Sequence, residues 1–204
     1  MNDATAFILA GGRSSRMGSD KALLSFGGQS LLQRTLQAAS SVTGKVFVLG
    51  PKERYGRFGD VIEDVYKDCG PLAGIHAALS TSTTDLNLML SVDMPLMTAD
   101  FLRWLMHEAS VARELIVVPD ALGGPQPLCA VYRREVRGPA ELLLKRGEYK
   151  ISNLFTAVPT RYISEREVVG AGFSAEMFSN INTPAEYEHL RAETDHNGLL
   201  KAKS

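Results

Sequence analysis

The sequence predicts an α/β fold in which a mostly parallel sheet is covered by helices on both faces. Three observations predict it. Short apolar runs alternate with segments of helical periodicity along the whole chain. Several of those runs are apolar at nearly every position, as strands buried on both faces must be. Glycine-rich or acidic turns follow at least two of them, which is where open α/β sheets collect ligands.

The elements follow in order. Ala4 to Ala10 (ATAFILA) reads as a buried strand stopping at Gly11-Gly12. A helix begins near Ser30, since Ser30 and Gln33 have capping-box spacing and Leu32, Leu36 and Ala39 share one face. Lys45 to Leu49 and Asp60 to Glu63 read as the second and third strands, and Leu72 to Leu79 as a helix. Leu86 to Val92 is a strand ending at Asp93, with Thr98 placed to cap the next helix. Phe101, Leu102, Leu105, Met106 and Ala109 give that helix its apolar face. Glu114 to Val118 and Leu128 to Tyr132 read as strands joined by a turn at Gly123-Gly124-Pro125. Glu135 to Lys145 reads as a helix and Thr160 to Ile163 as a late strand. Thr183-Pro184-Ala185-Glu186 carries the cap, first-turn proline and third-position glutamate of a helix start. A single domain over residues 1–192, with a polar tail at 193–204, is the expected organisation.

Composition narrows the function. The chain has 204 residues, enough for one substantial α/β core and too few for two ordinary ones. A formal net charge of -1 gives no general attraction to nucleic acid or to a membrane surface. No apolar stretch is long enough to span a bilayer, and Met1 to Thr5 lacks the basic run of a signal peptide. A cytoplasmic location is expected. Cys69 and Cys129 lack the spacing of a zinc or redox pair and read as reduced bystanders. His76, His107, His189 and His196 show no metal-ligand spacing and read as helix-surface or tail residues.

The segment Leu9-Ala10-Gly11-Gly12-Arg13-Ser14-Ser15-Arg16-Met17-Gly18-Ser19-Asp20-Lys21 carries the chemistry. Its glycines let the backbone approach a ligand, and successive N–H groups can point at phosphate oxygens. Arg16 supplies a charged fork and Lys21 a mobile point charge. The spacing is neither that of a Walker loop nor that of a dinucleotide fingerprint. An ordinary strand-to-helix turn with solvated charges is the competing reading, and the two glycine sites with both cations favour phosphate. Asp93, at a strand end on the same rim, has the setting of a Mg²⁺ ligand or of a helix cap. Asn180 and Asn182, flanking Ile181, suit either a metal or acceptor contact, or a turn.

With these residues in view, the chain resembles the molybdenum cofactor guanylyltransferases, nucleotidyltransferases with a Rossmann-like three-layer α/β/α fold. The first loop carries the resemblance. It continues through Ile62-Glu63-Asp64, Gly70-Pro71-Leu72-Ala73-Gly74-Ile75, Ser91-Val92-Asp93-Met94-Pro95, Gln126-Pro127 and Asn180-Ile181-Asn182-Thr183-Pro184. The resemblance implies transfer of GMP from GTP to the terminal phosphate of molybdopterin, with Mg²⁺ at Asp93 and release of pyrophosphate. It implies nucleotide contacts at Leu9, Ala10, Gly11, Gly12, Lys21, Asp64, Asp93 and the backbone of Gly70, Pro71 and Leu72. Arg16, Lys21 and Asp93 would be the catalytic groups. Gln126 and Lys150 would face the acceptor, with Asn180 and Asn182, and the product would pass by transient contact to molybdoenzymes or other cofactor-synthesis proteins. One departure stands out: the family often has Asn just after the second strand, where this chain has Leu49. A cytidylyltransferase, a sugar-phosphate nucleotidyltransferase and a non-catalytic nucleotide carrier are the alternatives.

Overall fold

The computed structural model describes residues 4–10, 20–63, 66, 69–181, 183, 185–188 and 190. Gly11, Gly12, Arg16, Asp64, Asn182, His196 and the segment 193–204 lie outside the described residues.

The chain opens with β1 (Ala4–Leu9), buried along its whole length. A 3-10 turn at Lys21–Leu23 and a small hairpin, β2 (Ser25–Phe26) with β3 (Gln29–Ser30), lead into α1 (Leu31–Ser40). There follow β4 (Lys45–Leu49), α2 (Lys52–Tyr55), β5 (Val61–Ile62), α3 (Pro71–Thr81), β6 (Leu86–Ser91) and α4 (Ala99–Val111). The second half holds β7 (Ile116–Ala121), β8 (Gly124–Pro125), β9 (Cys129–Arg133), α5 (Arg137–Lys145), α6 (Ile151–Ala157), β10 (Thr160–Ser164) and α7 (Glu165–Gly170).

The sheet order is β10-β7-β9-β6-β1-β4-β5, with β8 paired to β7. β5, β4, β1 and β6 run parallel, as do β7 and β10, whereas β9 is antiparallel to both neighbours. Side chains leave alternate faces of a strand, so β1 feeds two cores. Ala6 and Ile8 pack with α1 and α4, while Phe7 and Leu9 pack with α3 and α5. This is the expected three-layer α/β/α arrangement.

Local rules read from the sequence hold in the helices. Ser30 and Gln33 form the reciprocal capping box at the start of α1. The Thr98 hydroxyl accepts from Phe101 N at 3.3 Å. Thr183 and Glu186 exchange the equivalent pair of bonds, at 2.9 and 3.2 Å.

Other expectations need correction. β7 runs on to Ala121 instead of stopping at Val118. Pro119 is tolerated because β9 pairs only with Ile116 and Val117, so the missing N–H falls beyond that ladder. α2, α6 and α7 are too short for periodicity to reveal them. His76 is buried rather than on a helix surface, since α3 is covered by the sheet on one side and α5 on the other. Burial lowers its imidazole pKa from the ordinary value. His107 is exposed, and neither cysteine is in a disulfide.

The last described segment is anchored by aromatic packing. The Phe101 ring of α4 meets Phe173 and Phe178 edge-on, each with ring centroids 5.3 Å apart. Burying such rings stabilises by roughly 1.5–3 kcal/mol each. This packing returns residues 178–181 to the carboxyl end of β6.

Candidate nucleotide site

The connection from β1 leads to β4 on one side, and β6 lies on the other. A crevice opens outside the carboxyl ends of strands at such a switch in order. Leu9 pairs with Ser91, so β1 and β6 end level with each other. Ala10 and Asp93 therefore emerge on one rim.

Lys21 Nζ lies 3.3 Å from Asp93 Oδ2. Their side chains are 14% and 24% exposed, so the pair is sheltered without being fully buried. Asp20 sets the position of Lys21 by capping the 3-10 turn, its Oδ1 accepting from Ala22 N at 3.1 Å. Two contacts hold the turn that carries Asp93. Its carbonyl accepts from Ile181 N at 2.9 Å, and Arg34 donates to the Pro95 carbonyl at 3.3 Å.

On the β4 side, Gly70 precedes α3 with φ +68 and open space where a Cβ would stand. Glycine is there for its backbone angle rather than for crowding. Pro71 opens the helix, no side chain caps it, and Leu72 is fully buried. Gly70 has no side chain with which to cap the first turn of α3, so its orphan N–H groups look to other partners. Leu49 is only 3% exposed and belongs to the core under α3. The Leu49 side chain is committed to packing.

On the β7 side, a two-residue turn joins β7 to β8 with Leu122 at φ 52 and Gly123 at φ 85. Glu165 accepts from Leu122 N at 2.9 Å. Gln126 directs its amide nitrogen inward, to the Ala121 and Gly124 carbonyls at 2.9 and 3.2 Å, and so braces the hairpin. Lys150 is exposed at the start of α6. Its neighbour Tyr149 is hydrogen-bonded to Cys69, which raises the phenol pKa from its ordinary value. The Lys150 segment thereby lies beside the residues that lead into α3. Asn180 is exposed next to Ile181, close to the Asp93 backbone.

Two contributors were not foreseen. One is the backbone N–H of Ile181, which no residue type announces. The other is Tyr55, whose hydroxyl lies 3.0 Å from the Ala10 carbonyl and 3.0 Å from Asp20 Oδ2. A lone aromatic in the polar run Lys52–Tyr55 was the available signal.

Residues 6–161 match the MobA-like NTP transferase domain. The chain belongs to the MobA-like NTP transferase family. It is 33% identical to the probable molybdenum cofactor guanylyltransferase of Pelotomaculum thermopropionicum, over 98% of each chain. It is 31% identical to the molybdenum cofactor guanylyltransferase of Syntrophotalea carbinolica, over 95% of this chain and 93% of that one. The fold matches molybdopterin-guanine dinucleotide biosynthesis protein A of Archaeoglobus fulgidus with a TM-score of 0.82 at 23% identity, covering 94% and 99% of the two chains.

As a member of this family the chain is a nucleotidyltransferase, and such enzymes generally use a divalent metal. The site is chemically suited to one. Among the described residues no three metal-ligating side chains gather into a closed cage. A cation at Asp93 would draw its other ligands from phosphate and water, as Mg²⁺ does. No described helix is long and apolar enough to cross a membrane.

Proposed function

We propose that the chain transfers GMP from GTP to the terminal phosphate of molybdopterin and releases pyrophosphate, with Mg²⁺ as the metal. The observation that carries this reading is the Lys21–Asp93 pair. It joins a cation and a carboxylate from distant parts of the chain at the rim formed by the carboxyl ends of β1 and β6. The names of the relatives supply the guanylyl group and the molybdenum cofactor.

An oxygen of the acceptor's terminal phosphate attacks the α-phosphorus of GTP in line. The new P–O bond forms as the bond to the β-phosphate oxygen breaks, and pyrophosphate carries the electron pair away. A phosphate monoester is already nucleophilic, so the protein needs no covalent nucleophile. Its work is to align two anions and offset charge in the transition state. Asp93 would hold Mg²⁺, which when bound would supply Lewis-acid neutralisation of the phosphate oxygens. Lys21, beside Asp93, is placed to exchange its carboxylate partner for a phosphate oxygen. Arg16 is assigned to the β- and γ-phosphates.

Gly11, Gly12, Asp64 and the backbone of Gly70, Pro71 and Leu72 are assigned to the nucleotide side. Asn180, next to the Ile181 N–H that meets the Asp93 carbonyl, is assigned with Asn182 to the acceptor phosphate, and Lys150 and Gln126 to the acceptor side. Delivery of the product to molybdoenzymes in the cytoplasm completes the reading.

Calorimetry of GTP, CTP, UTP and ATP with and without Mg²⁺ tests it. Mg²⁺-dependent preference for GTP, followed by pyrophosphate release on adding molybdopterin, is the expected result. Preference for CTP would identify a cytidylyltransferase with the same Lys21 and Asp93 roles. Binding without pyrophosphate release would identify a carrier, and no binding by the folded chain would remove the reading.

A further inference from the structure

Tyr55 is almost wholly buried, 2% exposed, yet its hydroxyl is spent on neither the core nor solvent. It lies 3.0 Å from the Ala10 carbonyl, the last described residue before segment 11–19. It also lies 3.1 and 3.0 Å from the two oxygens of Asp20, the first described residue after that segment. A phenol has one proton, and all three neighbours are acceptors. The proton is shared across both ends, with the charged carboxylate taking the larger part. Arg54, from the same short helix, stands 3.8 Å from Asp20 and reinforces that charge. Burial and the neighbouring Asp20 carboxylate push the Tyr55 pKa well above its ordinary value, so the hydroxyl stays a donor at any working pH.

α2 is held in turn by the far side of the rim. Lys52 N donates to Glu63 Oε1 at 3.0 Å, and Gly50 N donates to the Ile62 carbonyl at 3.0 Å. A continuous set of contacts therefore runs from the end of β5 through Lys52 and Tyr55 to Ala10 and Asp20. From Asp20 the next residue is Lys21, which meets Asp93.

We propose that Tyr55 is a positioning residue for the nucleotide: its hydroxyl clamps the two ends of the phosphate loop and, through Asp20, sets where Lys21 stands. This rests on the nucleotidyltransferase reading of the same site. Fixing both ends of a loop before ligand arrives removes part of the ordering cost that binding would otherwise meet. A tyrosine kept only for packing would need its ring and not its hydroxyl.

Tyr55→Phe separates the two roles, because it keeps the ring. The expected result is a kcat/KM for GTP lowered roughly tenfold, the scale of a lost hydrogen bond to a charged group. The KM for molybdopterin and the melting temperature should hardly move. Asp20→Asn should show a similar loss, and the double variant should lose little more than either single one. In the ligand-free protein, hydrogen exchange at the Ala22 amide should rise about tenfold in Tyr55→Phe, since that amide is bonded to Asp20.

Unchanged kcat/KM for GTP, additive losses in the double variant, or unchanged exchange at Ala22 would each overturn the proposal. A wild-type chain that binds no GTP would defeat the functional reading and the nucleotide role of Tyr55 together. Intact GTP handling by Tyr55→Phe would defeat the Tyr55 role alone.

Discussion

The two flanks of the sheet are built differently. On the β1–β4–β5 flank every strand runs parallel and each crossover passes through the rim. Ala10, Asp20, Tyr55 and Gly70 arrive there from four separate segments, and hydrogen bonds join three of them. On the β9–β7–β10 flank an antiparallel strand interrupts the order, and the rim is formed by one hairpin with Leu122 at φ 52. The first flank reaches precision by convergence of many segments. The second presents a single projecting turn braced from within by Gln126. Placement of a triphosphate needs several fixed groups, whereas an acceptor approaching along one trajectory needs a wall.

This contrast breaks most sharply at the boundary between the flanks. Asp93→Asn is expected to lower pyrophosphate release by about two to three orders of magnitude and to abolish most of the Mg²⁺ dependence of GTP binding. Near-normal turnover would take Asp93 out of the metal role. Lys21→Ala is expected to lower kcat/KM roughly a hundredfold with the fold intact. A loss of stability with unchanged kinetics would make Lys21 a structural charge.

Smaller effects sharpen the comparison. Leu49→Asn restores the residue type common in the family at that position. Because the site is buried in the core under α3, it is expected to cost about 2 kcal/mol in urea unfolding, from lost packing and a buried amide. Improved GTP affinity without that cost would show that the base reaches Leu49. On the other flank, Leu122→Asn places a residue tolerant of positive φ in the strained turn. It is expected to stabilise by about 0.5 kcal/mol and to leave GTP binding unchanged. A change in GTP affinity would mean that the hairpin is not confined to the acceptor side.

The sequence was most legible where chemistry sits next to a strand end. Asp93 was placed on the rim because it directly follows an apolar run, and Lys21 because it closes the glycine-rich loop after β1; the two meet at 3.3 Å. Ser30 and Thr98 were readable because capping is local. Tyr55 was not, because its partners Ala10 and Asp20 are distant in sequence and α2 is only four residues long. His76 was misplaced because helical periodicity shows one buried face, while α3 is buried from Leu72 to Leu79. The turn before β9 was visible, but its insertion between β6 and β7 is a long-range choice that no local pattern records.

That insertion imposes an order of assembly. β7 leaves the ribosome before β9, yet β6 pairs with β1 and β9 and never with β7. β7 has no place in the sheet until Cys129–Arg133 has been synthesised and has docked on β6. The β1–β4–β5 flank and α4 can gather as a nascent unit while Ile116–Ala121, an apolar strand, has only the two-residue β8 to pair with. Such a waiting strand is a target for chaperones and a hazard for aggregation.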